Sequence, residues 1–253
     1  MTYVERALPA VPGAVLWRAE PGPGGGAVVL PDGCMDLLWA GDRLWVAGPD
    51  TRPHPPGEVG GGPVHGVRLP PGLLPALLGA PADRLRDLRV DLADVWSPHR
   101  AARLADRVPA APAPGAALAA LTAALAEEAG PRDPWPPLVA RRLVAGERVA
   151  ALAADLDLAE RTLHRRCLAA FGYGPRVLAR ILRLRRALAL VAAGVPCARA
   201  AARCGYADQS HLAREVRALA GRTLTEHRQS VGSAAGSGAN REISVPSGSA
   251  TVA

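Results

Sequence analysis

Two short segments in the C-terminal part of the chain carry cationic, amide and hydroxyl side chains at the spacing of one helical face. Their members are Arg161, His164, Arg165 and Arg166 in the first segment and Gln209, Ser210, His211 and Arg214 in the second. Arg and Gln form paired hydrogen bonds with base edges, and Arg and Ser also bind phosphate oxygens. A short helix with such a face fits the major groove of DNA. The two segments therefore predict two DNA-binding helices.

The charge distribution supports a polyanionic partner for this part of the chain. The 253-residue sequence has no lysine, so all 30 basic residues are arginines and the net charge is +7. Residues 1–137 carry 12 Arg and 15 acidic residues, whereas residues 138–229 carry 17 Arg and 7 acidic residues. A coding bias towards Arg would raise the basicity of both parts, but only the second part is basic. Such a basic region is typical of nucleic-acid binding.

Residues 149–168 have the pattern expected of a helix, a tight turn and a second helix. Apolar side chains that fall on one side across the break are Leu152, Leu156, Leu158, Leu163 and Cys167. Asp157 lies at the break. This residue type suits a turn there, because Asp tolerates the left-handed backbone conformation better than most residues. The second helix begins at about Glu160 and exposes the first cationic segment.

The same plan recurs further along the chain. Residues 195–204 predict a helix of small residues, Gly205 supplies a turn with positive φ, and Asp208 caps the next helix. Between the two helix pairs, residues 177–191 predict a helix with one apolar and one Arg-rich face. Some 17 helical residues in this region span about 25 Å at 1.5 Å per residue. Such a helix can separate two recognition helices by about one turn of DNA, ~34 Å.

These segments carry a family resemblance. Residues 183–187, followed by 201–214 and 221–223, resemble the signature of the AraC family of transcriptional regulators, including Gly-Tyr-Ala-Asp-Gln-Ser-His at 205–211. The resemblance covers about residues 140–228. It implies an all-α DNA-binding domain with two helix-turn-helix units joined by one helix, which bind consecutive major grooves of double-stranded DNA.

Carried over by position, the resemblance implies DNA contacts from both predicted recognition helices. Base contacts are implied for Arg161, His164 and Arg165, and base or backbone contacts for Gln209, Ser210, His211 and Arg214. We expect Arg183 and Arg185, on the connecting helix, to contact phosphates at most. Ala159 stands where the family often has a capping Ser or Thr.

The first seventy residues predict a β-rich unit. Short apolar segments at 14–20, 27–30, 34–39, 44–47 and 65–69 alternate with Pro-Gly, Asp-Gly and Gly-Asp dipeptides. Helices are predicted over 71–78, 98–107 and 115–129. The fold class is therefore α+β with two domains, a small β-rich N-terminal domain followed by an all-α double helix-turn-helix domain.

Residues 30–38, 46–52 and 66–72, together with 77–80, resemble a small β-rich domain that is often fused ahead of AraC-type DNA-binding domains. That resemblance implies sensing of an unknown signal or dimerisation. We expect Asp36 and Arg68 to pair across the sheet, and we consider Arg52 a candidate anion contact. The more conservative interpretation is that these residues serve the fold.

The sequence predicts four segments along the chain. Residues 1–130 form the sensor or dimerisation domain, 131–137 a Pro-rich linker, 138–229 the DNA-binding domain and 230–253 a disordered tail. The four prolines of the linker region argue against a helix there.

Other functions have weaker support. A DNA-repair alkyl-transfer regulator that uses Cys34 is the first alternative, although lone cysteines are more often inert core residues. The second is an interaction module whose basic helices bind an acidic protein. A metal set of His54, His65 and His99 lacks ligand spacing, so we predict no metal and no cofactor.

Enzyme motifs are missing from the sequence, so we predict that the protein is not an enzyme. Four tryptophans, namely Trp17, Trp39, Trp45 and Trp96, predict a β-domain core, with a ligand pocket as the lesser alternative. No membrane span or signal peptide is predicted, which indicates a cytoplasmic protein. Double-stranded DNA is the expected partner. RNA polymerase, a small-molecule effector, and a monomeric or homodimeric state are left open.

Overall fold

The structure is a computed structural model that describes residues 2–20, 28–54, 59, 62–108 and 113–227. The predicted tail at 230–253 lies outside the described residues.

The N-terminal domain is built on an antiparallel sheet. Within the described residues, six strands pair in the order β1-β2-β5-β3-β4-β6. The strands are β1 (Thr2–Ala7), β2 (Val15–Glu20), β3 (Met35–Ala40), β4 (Arg43–Ala47), β5 (Val64–Leu69) and β6 (Arg89–Asp91). The predicted strands at 14–20, 34–39, 44–47 and 65–69 are thus confirmed. Of the predicted strand at 27–30, the described residues form a single bridge between Val29 and His54.

One face of the sheet carries the main core of this domain. Leu37 lies between Val46 of β4 and Val67 of β5 in the strand register, and all three side chains are buried. Helices cover this face, and Leu118 and Leu121 of the last helix join the same core. The helical elements are α1 (Leu73–Leu78), a 3-10 turn (Ala82–Leu85), α2 (Leu92–Val95), α3 (Pro98–Ala105) and α4 (Pro114–Glu128).

The C-terminal part is helical throughout, as predicted. Its helices are α5 (Trp135–Val144), α6 (Val149–Asp155), α7 (Glu160–Phe171), α8 (Pro175–Ala192), α9 (Cys197–Arg203) and α10 (Gln209–Ala220). A single apolar core links them, and it includes Leu152 of α6, Leu182 of α8 and Val216 of α10.

The predicted linker at 131–137 extends too far. Helix α5 begins at Trp135, so Pro136 and Pro137 stand in its first turn. Proline is tolerated there because the first amides of a helix have no intrahelical acceptor. The Trp135 side chain is buried in the C-terminal core and stacks on Phe171. The last residues of the predicted linker are therefore part of the helical domain.

Candidate nucleic-acid interface

Helices α6 and α7 form the first helix pair. Asp157 adopts φ 50° in the turn between them, as predicted for a left-handed position. Leu152, Leu163 and Cys167 are fully buried on the shared apolar side. Helix α7 starts after Ala159, which provides no side-chain cap, as the sequence suggested.

The outer face of α7 divides the predicted binding residues into two kinds. Arg161 and Arg165 are exposed, and within the described residues neither makes a hydrogen bond or an ion pair. Arg166 is exposed but lies over the Trp135 ring, with its guanidinium carbon 4.2 Å from the ring centre. His164 is exposed beside Gly174, where a Cβ would lie 2.4 Å from the imidazole. Arg166 and His164 therefore contact other groups of the protein, whereas Arg161 and Arg165 make no hydrogen bond or ion pair within the described residues.

Helices α9 and α10 form the second helix pair, joined through Gly205 at φ 72°. The Asp208 carboxylate accepts a hydrogen bond of 2.6 Å from the His211 amide, which confirms the predicted cap. The His211 ring packs edge-on against Tyr206, and its Nδ1 accepts a hydrogen bond of 3.4 Å from the Ala207 amide. His211 therefore holds the turn together.

The leading turns of α10 leave other predicted residues accessible. Gln209, Ser210 and Arg214 are exposed, and none of them has a side-chain partner among the described residues. After α10, Thr223 and Glu226 exchange hydrogen bonds with each other's backbone amides, at 2.6 and 3.2 Å. This reciprocal capping starts a further helical turn at 224–227.

The arginines of the connecting helix α8 have different partners within the domain. The guanidinium carbon of Arg183 lies 4.4 Å from the centre of the Tyr206 ring, a cation–π contact. Burial raises the pKa of Tyr206 to about 12. Arg180 donates two hydrogen bonds to Glu215 of α10, at 2.6 and 3.2 Å. The predicted phosphate contact of Arg183 stays a prediction, since the same side chain also packs inside the domain.

Arg185 of α8 makes an ion pair that the sequence did not predict. Its Nη1 lies 3.0 Å from Oδ2 of Asp32, in the turn before β3. The same Asp32 oxygen lies 3.3 Å from Nε of Arg68, which lies 3.5 Å from Oδ1 of Asp36. Burial disfavours the charge of Arg68, but Asp36 and Asp32 outweigh it, so the pKa of Arg68 lies well above its usual value. The predicted Asp36–Arg68 pair is thus confirmed, within a network that reaches the C-terminal domain.

Further contacts join the two domains around this ion pair. A Cβ at Gly33 would lie 3.2 Å from Leu178 of α8, so the turn is pressed against that helix. The Tyr173 hydroxyl donates a 3.2 Å hydrogen bond to the Asp50 carbonyl. Arg86 donates one of 3.2 Å to the carbonyl of Gly172, which ends α7. At the end of α10, a Cβ at Gly221 would lie 3.3 Å from Pro53.

A compact polar cluster lies in the N-terminal domain close to this interface. Ligand atoms of Asp50, His54 and Asp87 lie within 4.8 Å of one another, an arrangement that the sequence did not predict. Arg89 donates two hydrogen bonds to Asp50, at 2.9 and 2.7 Å. Asp87 accepts from the amide and hydroxyl of Thr51, at 2.6 and 2.7 Å. These bonds occupy the carboxylates and stabilise the loop, so the cluster has a sufficient structural role.

The environment of Cys34 argues against the alkyl-transfer alternative. Burial, and secondly the negative charge of Asp32, raise the pKa of the Cys34 thiol well above its usual value. A reactive cysteine needs a lowered thiol pKa. The Cys34 amide donates a 2.8 Å hydrogen bond to Asp32, so the residue serves the turn.

The four tryptophans of the N-terminal domain divide between two apolar clusters. Trp39 is buried in the main core, whereas Trp17 and Trp45 pack against a separate small cluster around Leu38. The Trp17 indole donates a 2.6 Å hydrogen bond to Asp36. Their distribution agrees with the expected core role.

Comparisons with known proteins match two regions of the chain. Residues 152–230 match a family described as a helix-turn-helix domain. Residues 15–91 match a family described as a domain of unknown function, DUF6597. No curated protein matches the chain.

Solved structures of ToxT from Vibrio cholerae are similar to the chain at low identity. An apo form of a ToxT variant is 11% identical, with a TM-score of 0.46, and covers 86% of this chain and 97% of its own. A second ToxT structure is 10% identical, with a TM-score of 0.45 and coverages of 86% and 97%.

Among the described residues, no helix combines the length and the apolar character needed to cross a membrane.

Proposed function

We propose that the protein is a transcription regulator of the AraC type that binds DNA with two recognition helices, α7 and α10, a proposal supported by the match of residues 152–230 to a helix-turn-helix family. The observation that carries the proposal is the set of exposed polar side chains on these helices that have no partner among the described residues. Its members are Arg161, Arg165, Gln209, Ser210 and Arg214. Long cationic and amide side chains left free in this way are available for base edges.

The connecting helix sets the separation of the two recognition helices. Helix α8 has 18 residues and therefore spans about 27 Å. Consecutive major grooves on one side of DNA are about 34 Å apart. A single duplex that is slightly bent can therefore take both helices in consecutive major grooves.

The N-terminal domain acts, in this proposal, as a brace on the DNA-binding domain. It contacts α8 through Asp32, the end of α7 through Arg86 and the end of α10 through Pro53. A change in the N-terminal domain would therefore alter how the two recognition helices are held relative to each other. This gives the domain a regulatory role through contacts that already exist.

Selection of binding sites from random DNA tests the proposal in the full chain. Arg165→Ala and Gln209→Ala should each weaken the preferred site by about 1–3 kcal/mol and relax base preference at a few positions. Arg217→Ala is the control, because Arg217 is exposed in the last turn of α10, far from its leading end. If both test variants keep the wild-type preference, α7 and α10 do not recognise bases.

A further inference from the structure

A groove with a volume of ≈ 720 Å³ lies between the two helix pairs. Its walls come from the corner between α5 and α6, from one face of α8 and from the turn between α9 and α10. Its arginines are Arg148, Arg176, Arg180, Arg183, Arg186 and Arg203. The groove is therefore strongly cationic.

The two acidic side chains of the groove are already engaged. Glu215 accepts both hydrogen bonds from Arg180, and Glu147 accepts two hydrogen bonds of 2.6 Å from Arg142. Within the described part of the chain, Arg148, Arg183, Arg186 and Arg203 have no carboxylate within ion-pair distance. Guanidinium groups gathered without counter-charges repel one another, and a bound polyanion relieves that repulsion.

The position of the groove in the fold identifies its side of the domain. Leu178, Leu182 and Arg185 of α8 face the N-terminal domain. Arg176 and Arg180 are each two residues from Leu178, which is a rotation of about 200° at about 100° per residue. They therefore lie on nearly the opposite side of α8 from Leu178. The groove therefore opens away from the N-terminal domain.

The groove also lies beside the leading ends of both recognition helices. Arg176 lies 3.9 Å from Glu160, the first residue of α7. Arg203 and Gly205 line the groove just before Asp208, the cap of α10. A duplex held by the leading ends of α7 and α10 must pass the opening between them.

We propose that this groove binds the phosphodiester backbone of the DNA segment that runs between the two recognition helices. The proposal rests on the proposed function and adds a phosphate site outside those helices. Guanidinium groups are well suited to phosphate oxygens because they donate paired hydrogen bonds. A backbone contact carries no sequence information, so the groove adds affinity and register and leaves base preference unchanged.

The test is the double variant Arg148→Ala with Arg203→Ala in the full chain. Both side chains are exposed, so their removal leaves the core intact. The slope of log affinity against log salt should become shallower by about 1.8, since each lost contact contributes about 0.9. Affinity near 150 mM salt should fall by roughly tenfold or more for all DNA sequences alike. The matched control is Arg141→Ala with Arg199→Ala, two exposed arginines of α5 and α9 that do not line the groove.

The outcomes separate the groove from the recognition helices. An unchanged salt slope in the double variant overturns the groove proposal, even if Arg165→Ala still relaxes base preference. A shallower slope, together with an Arg165→Ala variant that keeps wild-type preference, supports the groove and contradicts the proposed recognition role.

A second arm tests whether the phosphate comes from a small molecule. Inorganic pyrophosphate is titrated into the DNA-free protein by calorimetry. Saturable micromolar binding that the double variant loses, with an unchanged salt slope for DNA, would identify a site for free phosphates and overturn the DNA-backbone assignment. Weak, unsaturated binding in both proteins agrees with a site that needs the extended backbone.

Discussion

The carboxylate of Asp32 lies 3.0 Å from the guanidinium of Arg185, and this ion pair joins the sheet domain to the helix between the two helix pairs. Both side chains are mostly buried, with exposed fractions of 12% and 20%. Asp32 also neutralises Arg68, so one carboxylate holds two cations. The turn at residues 31–34 is therefore a point at which the N-terminal domain fixes the position of α8.

Asp32→Asn should destabilise the protein by about 3 kcal/mol, because a largely buried ion pair loses one partner and leaves two guanidinium groups facing each other. Urea unfolding of the full chain measures this loss. Asp83→Asn, at an exposed position, is the control and should change the free energy of unfolding by less than about 0.5 kcal/mol. A loss in Asp32→Asn no larger than the control would show that the ion pair does not hold the domains together.

Gly172→Ala should separate the domains. Gly172 has φ 79°, and a Cβ there would lie 2.4 Å from Cγ of Pro49 in the N-terminal domain. The expected cost combines about 1 kcal/mol of backbone strain with a steric clash across the interface. Limited proteolysis between the domains should become faster, and the free energy of unfolding should fall.

Gly194→Ala is the matched control for this substitution. Gly194 has φ 85°, but no atom lies within 4 Å of the position of its Cβ. In Gly194→Ala the free energy of unfolding should fall by the backbone strain alone, and the rate of proteolysis between the domains should stay at the wild-type value. Equal effects of the two substitutions would mean that the Gly172 contact contributes nothing to domain association.

A DNA-binding fragment should be more stable when it begins before Trp135. The predicted domain at 138–229 lacks Trp135, which is buried against Phe171 and carries Arg166 on its ring. Loss of a buried Trp costs about 3–5 kcal/mol. We expect fragment 131–229 to melt cooperatively by circular dichroism and fragment 138–229 to melt at a much lower temperature. Equal melting temperatures would show that Trp135 does not stabilise the helical domain.

The sequence predicted local features of this site well, because short patterns determine them. Asp157 and Gly205 occupy their turns at positive φ, and Asp208 caps α10. Strand β1 was missed because Thr2–Ala7 has no alternating apolar pattern and is held mainly by backbone pairing with β2. The three residues of β6 are too few to show a pattern.

Long-range contacts were beyond the reach of sequence patterns. The Asp36–Arg68 pair was predicted from two strands of one sheet. The Asp32–Arg185 pair was not, because it depends on which surfaces of two domains meet. Likewise, Arg165 and Arg166 are neighbours of the same type, and only the position of Trp135 distinguishes the free side chain from the packed one.

Cys34 should resist alkylation near neutral pH. Its raised thiol pKa leaves little thiolate, which is the reactive form. Iodoacetamide labelling, followed by mass spectrometry of the peptide that contains residue 34, should show slow modification at pH 7.5. The same peptide should react quickly after unfolding in urea. Rapid labelling of the folded protein would restore the alkyl-transfer alternative.

Acid should weaken the C-terminal domain through His227. Burial, and secondly the charge of Arg222, lower the pKa of His227 to about 4, whereas an unfolded His titrates near 6.5. Between these values the unfolded chain binds more protons than the folded one. The contribution of His227 is therefore fully present above about pH 6.5 and declines as the pH falls towards 4. At pH 5 the loss should be about 1–2 kcal/mol relative to pH 7.

Urea unfolding at pH 7 and pH 5 measures this loss of stability. His227→Gln should reduce the difference between the two pH values, whereas His99→Gln, at an exposed position, should leave it unchanged. If His227→Gln keeps the pH dependence of the wild type, protonation of His227 is not coupled to folding.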